Sequence, residues 1–150
     1  MKNSILLAIC ISLVTKTTNA QYTNDTSLIK KDFQFTFITP LGSNGAMSHK
    51  CLNRISLNMI AGISGGIEGI ELGGFCNVVR KNVYGIQLAG FSNSVLGDVN
   101  GLQGAGFVNY SGGNLTGLAG SGFCNVNLGK TKGGQLSGFL NYNGDSLYGV

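Results

Sequence analysis

Apolar and polar positions return along most of this chain in a register of sixteen residues. From Gly69 onward glycine recurs at positions 69, 85, 101, 117, 133 and 149. A Gly-Phe pair keeps the same spacing at Phe75, Phe91, Phe107, Phe123 and Phe139, and an Asn follows two residues after each, at Asn77, Asn93, Asn109, Asn125 and Asn141. The unit reads Gly-(Ile/Leu)-(Gln/Glu)-Leu-small-Gly-Phe-x-Asn, then about seven variable residues with one apolar site, such as Val83, Val99, Leu115 or Leu147. Two short strand-like pieces surround an obligatory glycine. Ile86 and Leu88 point the same way, Gly90 is expected to bend the chain at positive φ, and Asn93 to close the next corner, since Asn tolerates left-handed backbone. The variable turns, such as Arg80-Lys81-Asn82 and Leu96-Gly97-Asp98, are polar and should face water.

Upstream the period is two. Phe33, Phe35 and Phe37 alternate with Gln34 and Thr36, and Ile55, Leu57 and Met59 alternate with Ser56 and Asn58. Each run predicts a half-buried strand with its apolar side chains inward. Between them, residues 39–52 carry the chain's Pro40 with Gly42 and Gly45 and read as a loop. Residues 32–68 therefore look like a separate opening element, either a cap or the first strands of a barrel.

A fixed-length repeat is the signature of a solenoid, whose coils bury together what none can bury alone. The expected fold is all-β, a parallel β-solenoid of sixteen-residue coils. The Phe residues would form a column in its core, and the Asn amides would bond along their own column. The alternative is an up-and-down β-barrel, possibly in an outer membrane, with one strand and one turn per repeat. Antiparallel neighbours would make alternate turns differ, yet odd and even repeats here look alike and no turn lengthens. That favours parallel stacking.

The first residues change the setting. Lys2, the apolar run from Ile5 to Val14 and the small-residue site Thr18-Asn19-Ala20 read as a secretory signal in residues 1–20, cleaved between Ala20 and Gln21. Residues 21–31 are polar and without period, a flexible leader; residues 69–150 hold five repeats and the start of a sixth. The 150-residue sequence has ten basic and six acidic residues. Losing Lys2 and Lys16 would leave a near-balanced chain, so the pI near 9.0 is no nucleic-acid signal. Cys76 and Cys124 hold the same place in the repeat, three units apart. At strand spacing that is about 14 Å, beyond the roughly 7 Å a disulfide allows, so both read as small apolar fillers.

The run from Gly85 to Asn93 and its copies resemble the Gly-x-Gln-x-Ala-Gly-(Phe/Leu/Val)-x-Asn units of bacterial surface repeat-containing proteins. The resemblance covers about Phe33 to Val150. It departs at Leu118-Ala119, where the Gln is missing, and at Gly134, where the apolar residue is missing. Members of that family run on into a further β-rich segment, so the resemblance implies a chain cut short. It specifies the repeat and says little about activity.

Chemistry is sparse. His49 stands without ligand-spaced partners. Glu68 and Glu71, three apart in a strand, face opposite sides, and Glu71 replaces the Gln of other repeats. The glycines from Gly101 to Gly106 lack the following helix a phosphate cradle needs. No catalytic residue, metal site or cofactor is expected. The Gln87, Gln103 and Gln135 row would lie on an exposed face as a candidate glycan-facing row, with Tyr84, Tyr110, Tyr142 and Tyr148 as rim contacts. The expected function is a non-enzymatic, exported β-repeat scaffold at the cell surface, structural or adhesive, with envelope components or glycans as partners and no nucleic acid. The alternative is an outer-membrane barrel or small pore, which leaves membrane association open.

Overall fold

The structure is a computed structural model that describes residues 27–150. The signal segment, the cleavage site Ala20–Gln21 and most of the leader lie outside the described residues. Strand β1 (Ile29–Ile38) begins inside the stretch expected to be leader, and is followed by the two-residue β2 (Leu41–Gly42) and a 3-10 helix over Gly45–Lys50. The expected loop of residues 39–52 thus holds short regular elements and the start of β3 (Cys51–Ser64).

From there each coil supplies one longer and one shorter strand. The longer ones are β4 (Gly66–Gly73), β6 (Val83–Ala89), β8 (Val99–Ala105), β10 (Leu115–Ser121), β12 (Thr131–Ser137) and the final β14 (Leu147–Gly149). The shorter ones are β5 (Cys76–Val79), β7 (Ser92–Val95), β9 (Val108–Ser111), β11 (Cys124–Asn127) and β13 (Leu140–Asn143). Longer strands pair only with longer, shorter with shorter, always parallel and at the sixteen-residue register: Gln87 lies beside Gln103 and Asn93 beside Asn109. The two walls join through β3, which pairs with β4 over its first half and with β5 over its last four residues. This is a parallel β-solenoid. The barrel alternative fails because every neighbour among the repeats is parallel.

The opening runs sit at the head of the stack, paired in register with the coils that follow. β1 stacks in parallel on β3, with Phe33 beside Ile55 and Phe35 beside Leu57, so both extend the same walls. Their facing is the reverse of the expectation. Gln34, Thr36, Ser56 and Asn58 are buried, whereas Phe33, Phe35, Phe37, Ile55 and Met59 are outside, Phe33 half exposed at 50%.

The same inversion runs through the repeats. Inward positions of β6 and β7 are Val83, Gln87, Ala89, Asn93 and Val95; outward positions include Tyr84, Ile86 and Leu88. The apolar core is a strip of Ile67, Val79, Val83, Val95, Val99, Leu115 and Ala119. Most of it flanks the polar turns, and the amides fill the rest of the interior. The Phe column expected in the core stands outside it. Phe75, Phe91, Phe107, Phe123 and Phe139 stack ring on ring at 4.7 to 5.1 Å and within 10° of coplanar. Their edges meet solvent, with Phe75 51% and Phe139 75% exposed.

Two glycine columns make the coil possible. Gly85 takes φ +132°, and a Cβ there would sit 2.0 Å from the Gly69 carbonyl oxygen. Gly90, where positive φ was expected, does not adopt it; its Cβ is excluded by the Gly74 carbonyl oxygen, 2.1 Å away. Positive φ is confined to glycines among the described residues, so the Asn positions are strand positions and not left-handed corners. The turns are tied across coils as well. The Asn82 side-chain oxygen accepts from the Asp98 amide at 2.9 Å, Asp98 from Asn114 at 2.7 Å, and Asn114 from Lys130 at 2.9 Å.

Candidate functional site

The interior is a pair of amide ladders. Each Asn Nδ2 donates to the Oδ1 of the next coil: Asn58 to Asn77, Asn77 to Asn93, Asn93 to Asn109, Asn109 to Asn125 and Asn125 to Asn141, all at 2.9 to 3.0 Å. The same nitrogen reaches across to the opposite wall, as Asn93 does to the Gly104 carbonyl and Asn109 to the Gly120 carbonyl, both at 2.7 Å. Both amide protons and the side-chain oxygen are thereby used, which removes most of the desolvation cost that keeps Asn out of ordinary cores. The Asn side chains bond along their own column, as stacking of like residues requires.

The Gln ladder runs the other way. Gln103 Nε2 donates to Gln87 Oε1 at 3.0 Å and Gln87 Nε2 to Glu71 Oε2 at 2.8 Å. Gln87 is 0% exposed, and Gln103 and Gln135 are buried as well. The row expected to face a glycan therefore cannot reach one. Ala119 interrupts this ladder. Ser111, standing where the two preceding coils have Val79 and Val95, donates its hydroxyl to Gln103 Oε1 at 3.3 Å and caps the break. Beyond the break both polar atoms of the Gln135 amide lack a partner.

Glu71 ends the Gln ladder as a fully buried carboxyl. Burial raises its pKa from 4.5 to about 7, against the pull of donors from Gln87, Ser64 and Asn58. Ser64 Oγ donates to Oε1 at 3.0 Å and Asn58 Nδ2 at 3.2 Å. Glu68 is exposed on the other side of the wall, as the alternation implied, so the two do not form an acid/base pair.

What the molecule offers to a partner is the outside of the longer wall. Two rows of outward residues run along it. One reads Phe33, Ile55, Ile70, Ile86, Leu102, Leu118, Gly134 and Val150, Gly134 being buried between the side chains of Leu118 and Val150; the other reads Phe35, Leu57, Leu72, Leu88, Gly104, Gly120 and Leu136. The Phe stack borders the second row. None of these positions carries a charge. Glu68 and Lys132 belong to the flanking row, with Tyr84 and Tyr148 between and beyond them. Sequence reasoning assigned this face to the core. One signal could have corrected it: Leu gives way to Gly at 104, 120 and 134, a change that would leave a cavity at an inward position.

The remaining candidates do not converge. His49 sits on the 3-10 helix with Nδ1 2.9 Å from the Ala46 carbonyl oxygen. Cys51, Cys76 and Cys124 form no disulfide with one another, and burial pushes the thiols of Cys51 and Cys124 up, away from easy thiolate formation. Tyr84, Tyr142 and Tyr148 are exposed, but Tyr110 and Tyr142 lie on the shorter wall, away from the apolar rows. A shallow groove between Arg54 and Glu68 opens on Ile55 and Ile70; Arg54 there pairs with Asp32 at 3.6 Å. Among the described residues no three His, Cys, Asp or Glu side chains come together as a metal would require.

No family model, curated protein or solved structure matches this chain.

Proposed function

We propose that the chain is a non-enzymatic, exported β-repeat scaffold, displayed at the cell envelope, that works by binding through the apolar face of its longer wall. One observation carries the reading: the interior is filled by amide ladders that bond to themselves, while an uncharged face of Ile, Leu and Phe points outward. Water-soluble monomers rarely leave contiguous apolar patches above about 300–600 Å² uncovered. The signal-like residues 1–20 and the resemblance to bacterial surface repeat proteins support an address outside the cytoplasm. Envelope components of apolar character are the partners this face suits. Glycans are not retained, because the residues that would have met them are buried. The pore reading is not retained either, since it required a closed antiparallel barrel.

The test is retention. The exported chain and its Ile86→Asp variant are expressed in the same host and the cell-bound and released fractions compared. The unaltered chain should stay with the envelope and Ile86→Asp should be released, both giving the same β-type circular dichroism. Equal retention of the two would overturn the reading.

A further inference from the structure

The break in the Gln ladder is a polar site inside the coils, separate from the apolar face. We propose that the interior beside Ala119 binds an ordered water molecule, which takes the place of the missing glutamine amide and joins Gln103, Asn127 and Gln135.

The backbone cannot close the break. Ala119 lies in register between Gln103 and Gln135, and the pairing runs unshifted along β10 from Leu115 to Ser121 on both sides. Two strand separations of roughly 4.8 Å hold the flanking strands about 10 Å apart, so the two Gln amides cannot bond directly. Ala119 is buried, and its side chain stops at Cβ where Gln87 and Gln103 continue to a carboxamide. That difference exceeds the share of one water molecule in the liquid, about 30 Å³.

The polar groups around this space are those the protein's own bonds leave over. Among the described residues six buried side-chain polar atoms have no protein partner, and Ser121, Asn127 and Gln135 supply four of them. In the intact ladder each Nε2 donates to the coil before it, Gln103 to Gln87 and Gln87 to Glu71. Continued in that direction, Gln135 Nε2 turns back to Ala119, which offers no acceptor. Its Oε1, on the side of the following coil, is not part of the site. Asn127 sits one coil on from Ser111, which meets Gln103 across the interior from the same place. The Asn127 nitrogen donates to the Gly129 carbonyl at 3.0 Å and to the Thr131 hydroxyl at 2.8 Å, while Oδ1 stays buried without a donor. Its column holds Val79 and Val95 beside the ladder proper and turns polar at Ser111 and Asn127, where the ladder ends. A dry space would be faced by another Val; a wall that becomes polar opposite the break is built for water.

One water completes the set. Gln135 Nε2 donates to it, and it donates to Asn127 Oδ1 and to the second lone pair of Gln103 Oε1. That makes three bonds, the usual number for a buried water. A cation would meet the same two oxygens but also the Gln135 amide protons, which it repels.

The experiment is NMR cross-relaxation between water and the side-chain amide protons of Gln135 in the labelled exported chain, with the sign separating dipolar contact from proton exchange. The unaltered chain should show a long-lived water at Gln135. Ala119→Gln should abolish it, because the added carboxamide accepts from Gln135 Nε2 and donates to Gln103. A high-resolution crystal structure of the unaltered chain reads the site without any variant. It should show a water about 2.7–3.2 Å from Gln135 Nε2, Asn127 Oδ1 and Gln103 Oε1. No water contact at Gln135 overturns the inference, as does a dry interior in the crystal. So does a contact that survives unchanged in Ala119→Gln, which puts the water beyond Gln135, or an anomalous peak at the site after a rubidium soak, which makes it a cation site.

Discussion

Replacing Glu71 by Gln should stabilise the protein at neutral and alkaline pH and leave it unchanged in acid. Glu71 is buried, and its pKa rises from 4.5 to about 7 because burial penalises the charged form. A raised carboxyl pKa means that between these values the folded state holds a proton the unfolded state has released. Stability is therefore full below about pH 4.5, falls as pH rises and levels off above about 7. At about 1.4 kcal/mol for each pH unit between the two values, the whole descent is about 3 kcal/mol. The Glu71→Gln side chain would carry no charge to bury. It would extend the existing ladder by one coil, its oxygen accepting from Gln87 Nε2 and its nitrogen donating to the Ser64 hydroxyl, which can turn to accept. Asn58 keeps its bond to Asn77. Urea titrations of both chains from pH 4 to 9 measure the difference directly. Midpoints should coincide at pH 4 and separate by about 1–3 M at pH 8, given a slope of about 1–3 kcal/mol/M. A difference that stays flat with pH, or an unaltered chain that gains on the variant as pH rises, would refute the reasoning.

Other positions test the ladders, the stack and the glycines. Asn109→Ala removes the acceptor of Asn93 and the donor to Asn125 and Gly120, and should cost about 3 kcal/mol or more in denaturant, since buried partners are left unsatisfied. Phe107→Ala should cost about 1–2 kcal/mol, less than a core Phe, because the ring stands outside the core, stacked between Phe91 and Phe123; Phe139→Ala, with a single stacked neighbour, should cost less still. Gly101→Ala meets φ +139° and the Gly85 carbonyl oxygen 2.0 Å away, and should lose at least about 2 kcal/mol. Gly120→Ala enters open space and should stay within about 0.5 kcal/mol of the unaltered chain by thermal unfolding.

The period, the parallel register and the Asn column were legible because identical residues at identical spacing must stack if the coils do. The direction of the faces was not. Alternation divides a strand into two sides without saying which is inside, and the usual rule puts Phe33, Phe75 and Ile86 inward. That rule assumes buried amides cost free energy. Here the column Asn residues, and Gln87 with Gln103, meet their own copies one strand spacing away, so much of the cost is met within the columns and the thin interior takes flat amides in place of rings. The opening strands hid their membership for a different reason. Gln34, Ser56 and Glu71 occupy one column with Gln87, but the connection that holds β2 and the 3-10 helix sets Gln34 22 residues before Ser56, and a bulge in β3 leaves Ser56 15 residues before Glu71. The candidate site was misplaced by the same inversion, and the Leu-to-Gly changes at 104, 120 and 134 were its one trace.

The fold depends on polar side chains filling much of the inside of the coils while large apolar ones stand outside. Exchange of the side-chain amide protons of Gln87, Gln103, Asn93 and Asn109, followed by NMR in a labelled sample, tests that arrangement most directly and does not depend on the oligomeric state. Amides protected far beyond free-peptide rates are expected, with cross-coil contacts between the Asn93 and Asn109 amide protons. Side-chain amides that exchange as fast as those of an unfolded peptide, in a chain that is otherwise folded, would contradict it.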